Sequence, residues 1–76
     1  MGIFSAISEG RFAAKMVQEQ AKLLKVHPSS LPQWVIEAAK DNARAYKMGG
    51  YTPQGAAQLA VEQMGAQILR DMKEGS

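Results

Sequence analysis

The side chains best suited to acid–base or metal chemistry are few in this chain, and they are not grouped. His27 is the only histidine, it directly precedes Pro28, and the chain contains no cysteine. A general base needs a second group that orients it, and a zinc site needs several nitrogen or sulfur ligands. The sequence supplies neither beside His27, so we expect a solvent-exposed histidine in a turn.

One pair of carboxylates has the spacing of neighbours on a helix. Glu37 and Asp41 lie four residues apart and so share one helical face, but Lys40 and Arg44 interleave with them. This arrangement is typical of a solvated charged face rather than of a catalytic pair. The glycines Gly49-Gly50 lack the spacing and the Lys-Ser/Thr ending of a phosphate-binding loop. We therefore predict a protein that is not an enzyme and that holds no metal or cofactor.

Basic residues form two stripes on predicted helices. The chain has nine Lys and Arg against seven Asp and Glu, a formal net charge of +2. If the stripes lay side by side, their charges could follow a phosphate backbone, although acidic residues dilute both. A small nucleic-acid-binding regulator is therefore the first alternative. Its candidate basic face consists of Arg11, Lys15, Lys22, Lys40, Arg44 and Lys47.

Length and composition favour one small domain over residues 1–76. The hydrophobic fraction is 46%, which is ordinary for a folded chain, and there is no disulfide to support the core. A core of this size contributes only ~3–5 kcal/mol, and small domains often complete it by oligomerisation. We therefore expect a homodimer. No apolar run is long enough for a secretory signal or a membrane span, so the expected compartment is the cytoplasm.

The pattern predicts an all-α fold, a three-helix hairpin or bundle with helices over about residues 3–26, 31–48 and 52–73. Pro28 should end the first helix at or before His27, and Ser30 with Gln33 matches a capping box for the second. Gly49-Gly50 closes the second helix, and Thr52 caps the third. Whether the first helix is continuous through Gly10 is left open by the sequence.

Apolar residues at helical spacing indicate which faces are buried. The first helix has an unusually broad apolar arc, which predicts packing against two neighbours. Its seam and flanks are Ala14, Val17, Ala21 and Leu24 with Phe12, Met16 and Leu23. The predicted stripe of the second helix is Leu31, Trp34, Val35, Ala38, Ala45 and Tyr46. That of the third is Ala57, Val61, Met64, Ile68 and Met72 beside Gly65, with Leu59, Ala56 and Ala66 pointing away.

Surplus apolar surface makes protein–protein interaction the leading prediction: an adaptor, regulator or inhibitor that docks on a larger protein. The candidate interface residues are Phe12, Met16, Leu23, Trp34, Ile36, Asn42, Tyr46 and Leu59. Asn42 lies within the predicted stripe, where a polar residue either fixes register between partners or sits at an edge and bonds to water.

A membrane-peripheral protein is the second alternative. Phe4, Ile7 and Phe12, with Arg11 and Lys15, would form a basic amphipathic N-terminus. One short apolar face with a few charges is a marginal anchor, so a membrane partner is the least favoured of the three.

Overall fold

The computed structural model describes residues 2–75, and their side chains from residue 8 onward. Three α-helices make up most of the chain: α1 is Gly2–Leu24, α2 is Gln33–Met48 and α3 is Pro53–Glu74. A short 3-10 turn, Pro28–Ser30, lies between α1 and α2. The all-α, three-helix prediction is confirmed. Because α1 is unbroken at Gly10, the question of its continuity is also answered.

The helix α1 ends two residues earlier than predicted, in a backbone turn rather than at the proline. Lys25 adopts the left-handed conformation, with φ of 60°. Its N–H donates to the Lys22 carbonyl at 3.1 Å, and the N–H of Val26 donates to the Ala21 carbonyl at 3.0 Å. These two bonds form a Schellman motif, which satisfies carbonyls that the helix end would otherwise leave unpaired.

The capping box predicted at Ser30 is wrong. Ser30 lies in the 3-10 turn, where the Nδ1 atom of His27 accepts a hydrogen bond from the Ser29 N–H at 3.1 Å. The N-cap of α2 is Pro32, which makes no side-chain capping bond, and the helix begins at Gln33 rather than Leu31. His27 and Leu31, which precede the two prolines, are extended and flank the 3-10 turn, so Ser30 is separated from the start of α2.

The turn between α2 and α3 follows its sequence signals closely. Gly50, with φ of +84°, occupies the left-handed position of a second Schellman motif, in which the Tyr51 N–H donates to the Tyr46 carbonyl at 3.0 Å. The rings of Tyr46 and Tyr51 meet edge to face, with centroids 5.5 Å apart. This is the apolar contact that commonly accompanies the motif. Thr52 caps α3 as predicted, accepting from the Gly55 N–H at 3.0 Å.

Both α2 and α3 pack on α1, which confirms that its broad apolar arc serves two neighbours. Two buried clusters share the partly buried residues Val17 and Met64. The first consists of Phe12, Ala13, Met16, Ala39, Ala43, Ala56, Ala57 and Ala60. The second consists of Ala21, Leu31, Val35 and Ile68. Between α2 and α3, the Nε1 of Trp34 donates to the Asp71 carboxylate at 2.7 Å.

The predicted stripes are displaced at several alanines. Ala14 on α1 and Ala45 on α2 were expected to be buried but are exposed, whereas Ala39 and Ala43 are buried at 1% and 0% exposure. Ala56 on α3, expected to point away from the core, is also fully buried. Alanine contributes little to a hydropathy pattern in either position. Its burial here is set by where the neighbouring helix comes close, and small side chains permit that approach.

Candidate functional site

An open, largely apolar concavity lies between α1, the 3-10 turn and the first half of α2. We call it the α1–α2 groove, and its volume is ≈ 480 Å³. It is lined by Gly10, Ala13, Ala14, Val17, Gln18, Pro28, Ser29, Ile36 and Lys40. The volume falls in the range of about 300–1,000 Å³ that is usual for ligand pockets.

Small residues on α1 make this groove. Gly10, Ala13 and Ala14 leave the helix backbone thinly covered, while Ile36 and Pro28 form an apolar wall opposite them. Ile36 and Val17 are each only half-buried, and Ala14 is exposed. The groove is therefore an open apolar surface rather than a cavity within the core.

A second concavity adjoins the groove and is lined by three basic side chains, whereas one basic side chain lines the groove. We call it the basic cleft; its volume is ≈ 450 Å³, and it shares Ala14 and Gln18 with the groove. It is also lined by Ser8, Arg11, Phe12, Lys15, Lys47 and Pro53. Basic side chains from α1 and α2 thus line one surface. The nucleic-acid alternative requires such an arrangement, and it is present for part of the predicted basic face. None of the described residues that line the two concavities is acidic.

The six predicted basic residues are all exposed, but they do not form one uninterrupted face. Lys22 is engaged with Glu19 at 3.3 Å, and the Nε of Arg44 lies 4.0 Å from Glu9. The ammonium of Lys47 donates to the Ser8 hydroxyl. Arg11, Lys15 and Lys47 line the basic cleft, and Lys40 lines the groove.

Two of the predicted interface residues have a core role instead. Phe12 and Met16 are 7% and 2% exposed and belong to the first buried cluster, so they offer almost no surface to a partner. The reason is that α1 turns these side chains toward α3 and α2. Its exposed side carries Ala14 and Gln18 instead.

The other predicted interface residues lie at or near the surface. Ile36 lines the groove, and Leu23 is 45% exposed at the end of α1. Trp34, Tyr46 and Leu59 are half-buried. Asn42 is exposed and donates to the Ala38 carbonyl of its own helix at 2.8 Å. Asn42 is therefore outside the core of the single chain, and its role in fixing register with a partner stays a prediction.

The candidate acid–base groups are not brought together. His27 is exposed and bonds to Ser29 at 2.6 Å, and Glu37 accepts from Gln33 at 3.0 Å. Over residues 2–75 no group of three or more possible metal ligands is found.

The predicted basic amphipathic N-terminus lies only partly within the residues whose side chains are described. Phe4 and Ile7 fall outside the residues whose side chains are described. Phe12, the third apolar member, is buried in the core. None of the described helices is long and apolar enough to cross a membrane.

Comparisons of the chain with protein-family models, with curated proteins and with solved structures gave no match. The sequence reading missed Gly10, Ala13 and Pro28 as surface-forming residues. One face of α1 carries residues at three- and four-residue spacing: Gly10, Ala13, Ala14 and Val17. The small size of the first three predicts that this face is shallow.

Proposed function

We propose that this protein is a non-enzymatic interaction module that docks on a larger protein through the α1–α2 groove. The observation that carries the proposal is an apolar, open concavity on a domain whose core is already filled by other residues. Adaptor, regulator and inhibitor are the roles compatible with such a module. The proposed compartment is the cytoplasm, since a chain without cysteine depends on no oxidising environment.

Part of the groove is surplus to folding, which favours a binding role. Ala13 belongs to the first buried cluster and Val17 packs against both, but other lining residues do not. The two buried clusters use Phe12, Met16, Val35 and Ile68 as their large members. The apolar groove residues Ala14 and Ile36 belong to neither cluster. Apolar side chains that stabilise no core remain in contact with water until a partner covers them, and covering them is favourable.

Replacing one exposed alanine tests this proposal. Ala14→Glu puts a long charged side chain on the shared rim of the groove and the basic cleft. Ala66→Glu makes the same change at an exposed alanine of α3 that lines neither concavity. Tagged wild-type chain and both variants are used for quantitative pull-downs from cells that express the protein.

We expect a set of proteins recovered by the wild type and by Ala66→Glu and lost with Ala14→Glu. Circular dichroism and thermal unfolding of both variants confirm that the folds match. Recovery of the same proteins by all three chains would contradict the groove as the docking surface, and so would recovery of none.

Nucleic-acid binding is the second candidate, and one observation favours it. Arg11, Lys15 and Lys47 come from two helices yet line a single cleft. Titration of random duplex DNA and of single-stranded RNA at increasing salt tests it, because phosphate contacts weaken steeply as salt rises. Lys15→Glu should abolish binding and Arg70→Glu, an exposed cation on α3, should not. No measurable affinity at low salt would rule this candidate out.

Self-association is a further part of the proposal. Leu23 on α1 and Leu69 on α3 are 45% and 46% exposed, and a second copy could cover them. Light scattering on a size-exclusion column measures the mass directly. A homodimer should dissociate in the Leu23→Glu or Leu69→Glu variant, whereas a wild type that stays monomeric at high concentration would exclude this mode.

A further inference from the structure

We infer that the segment that fills the α1–α2 groove is an acidic amphipathic α-helix of the partner protein. This inference rests on the proposed function and gives the partner its chemistry. It follows from three properties of the surface: the charge around it, its length along α1 and the size of its floor residues.

The charge at the groove is positive and poorly compensated. Lys40 lines the groove itself, and Arg11, Lys15 and Lys47 line the basic cleft that adjoins it across Ala14 and Gln18. Potentials of opposite sign across an interface speed association and exclude wrong partners. A segment that lies in the groove therefore gains from carboxylates along the edge that faces the cleft.

The nearby acidic side chains of this chain supply only part of that compensation. Glu9 lies by Arg44, Glu19 by Lys22, and Glu37 accepts a hydrogen bond from Gln33. Glu9 borders the basic cleft beside Lys47, and Glu19 borders it beside Lys15. None of the three carboxylates lines the groove or the cleft itself. The four cations at the groove and cleft are thus left in part to be matched by a partner, although Lys47 also bonds to Ser8.

The length of the groove suits about two turns of a helix. Its α1 residues, from Gly10 to Gln18, span eight residue steps, or about 12 Å at the helical rise of 1.5 Å per residue. A partner helix presents apolar side chains at positions i, i+3 or i+4 and i+7 over that same distance. Docking of such a helix in an apolar groove is a recurrent form of peptide recognition.

The floor residues favour close approach by another helix. Gly10, Ala13 and Ala14 project little from α1, so a partner backbone can come near it, with its larger side chains directed at Ile36 and Pro28. A flat bilayer cannot follow this concavity, and a phosphate backbone gains nothing from its apolar lining. A second copy of the chain, placed groove to groove, would bring one basic surface against another, and like charges at an interface are unfavourable.

Selection from a random peptide library tests the inference without assuming a partner. Peptides of about 16 residues, long enough to form a helix on the surface, are displayed on phage and selected against the full wild-type chain. Parallel selections use Ala14→Glu, its matched control Ala66→Glu, and Lys40→Glu. Arg70→Glu, an exposed cation of α3, is the control for Lys40→Glu.

The expected result is enrichment of net-acidic peptides with apolar residues at i, i+3 or i+4 and i+7. They should bind wild type, Ala66→Glu and Arg70→Glu alike, and lose binding to Ala14→Glu. Lys40→Glu should weaken them about tenfold, which corresponds to 1.4 kcal/mol, and should favour basic peptides instead. Synthetic peptides should become helical on binding and shift the amide signals of Val17 and Ile36 in NMR spectra.

The two proposals fail in different ways. If the enriched peptides are basic, neutral or extended, yet are lost with Ala14→Glu, the groove binds proteins but the inferred partner chemistry is wrong. If no peptide prefers wild type to Ala14→Glu, both proposals fail. Binding of anionic vesicles or duplex DNA in place of peptides, or a groove-dependent dimer by light scattering, would also overturn the acidic helix.

Discussion

Gln20 offers the sharpest test of how the three helices are packed. It lies on α1, is 1% exposed and is among the largest fully buried side chains of the described residues. Its Oε1 atom has no hydrogen-bond partner there. Methionine has nearly the same length and shape and no strong polar atom. We predict that Gln20→Met stabilises the protein.

The magnitude follows from the cost of an unpaired buried acceptor, which is about 1–3 kcal/mol. Glutamine and methionine have nearly equal helix propensities, so the backbone of α1 contributes little to the difference. Allowing for imperfect fit of the new side chain, we expect the free energy of unfolding to rise by about 1–2 kcal/mol. For a domain of this size, each 1 kcal/mol raises the melting temperature by about 6 °C.

Two probes follow the unfolding. Urea titrations are read by far-ultraviolet circular dichroism and by the fluorescence of Trp34, the only tryptophan. Thermal melts give the melting temperature. Gln63→Met makes the same replacement at an exposed position of α3 and should change stability by less than about 0.5 kcal/mol.

A neutral or destabilising effect of Gln20→Met would refute the reasoning. It would mean that the Oε1 atom is satisfied in solution, for example by a bound water, or that the site needs the shape of the amide. An equal gain from Gln63→Met would also refute it, because the effect would then come from methionine in a helix and not from removing a buried acceptor.

Four further substitutions test one contact between helices and the backbone conformation at three positions. Trp34→Phe removes the hydrogen bond to Asp71, and because both groups are half-buried we expect a loss of about 1 kcal/mol in urea unfolding. Gly10→Ala and Gly50→Ala should have opposite effects in thermal melts. At Gly10, in the middle of a helix, an added Cβ meets nothing within 4 Å, so alanine should raise the free energy of unfolding by about 1 kcal/mol. At Gly50 the φ of +84° is unfavourable for alanine, so the same change should lower the free energy of unfolding by about 1 kcal/mol. Lys25→Gly should relieve the left-handed conformation at the end of α1 and raise stability by up to about 1 kcal/mol, and an unchanged or lower melting temperature would contradict that strain.

Local chemistry in the sequence determined the ends of most of the helices. Gly50 and Thr52 act at the turn between α2 and α3 as their residue types predict, because a positive φ and an N-terminal cap are properties of a few neighbouring residues. The broad apolar arc of α1 also predicted its two neighbours. Two ends differ from their local signals: α1 ends in the turn at Lys25 before Pro28 is reached, and α2 begins beyond Ser30, after the second proline.

Only the tertiary structure decided which small residues are buried and where a partner has access. Ala43 and Ala45 have the same side chain on the same helix, yet one is fully buried and the other is exposed. Their difference depends on where α1 crosses α2, which is a property of all the contacts together. The α1–α2 groove has the same origin: Gly10 and Ala14 are recognisably small in the sequence, but they border a groove only because Ile36 is brought opposite them.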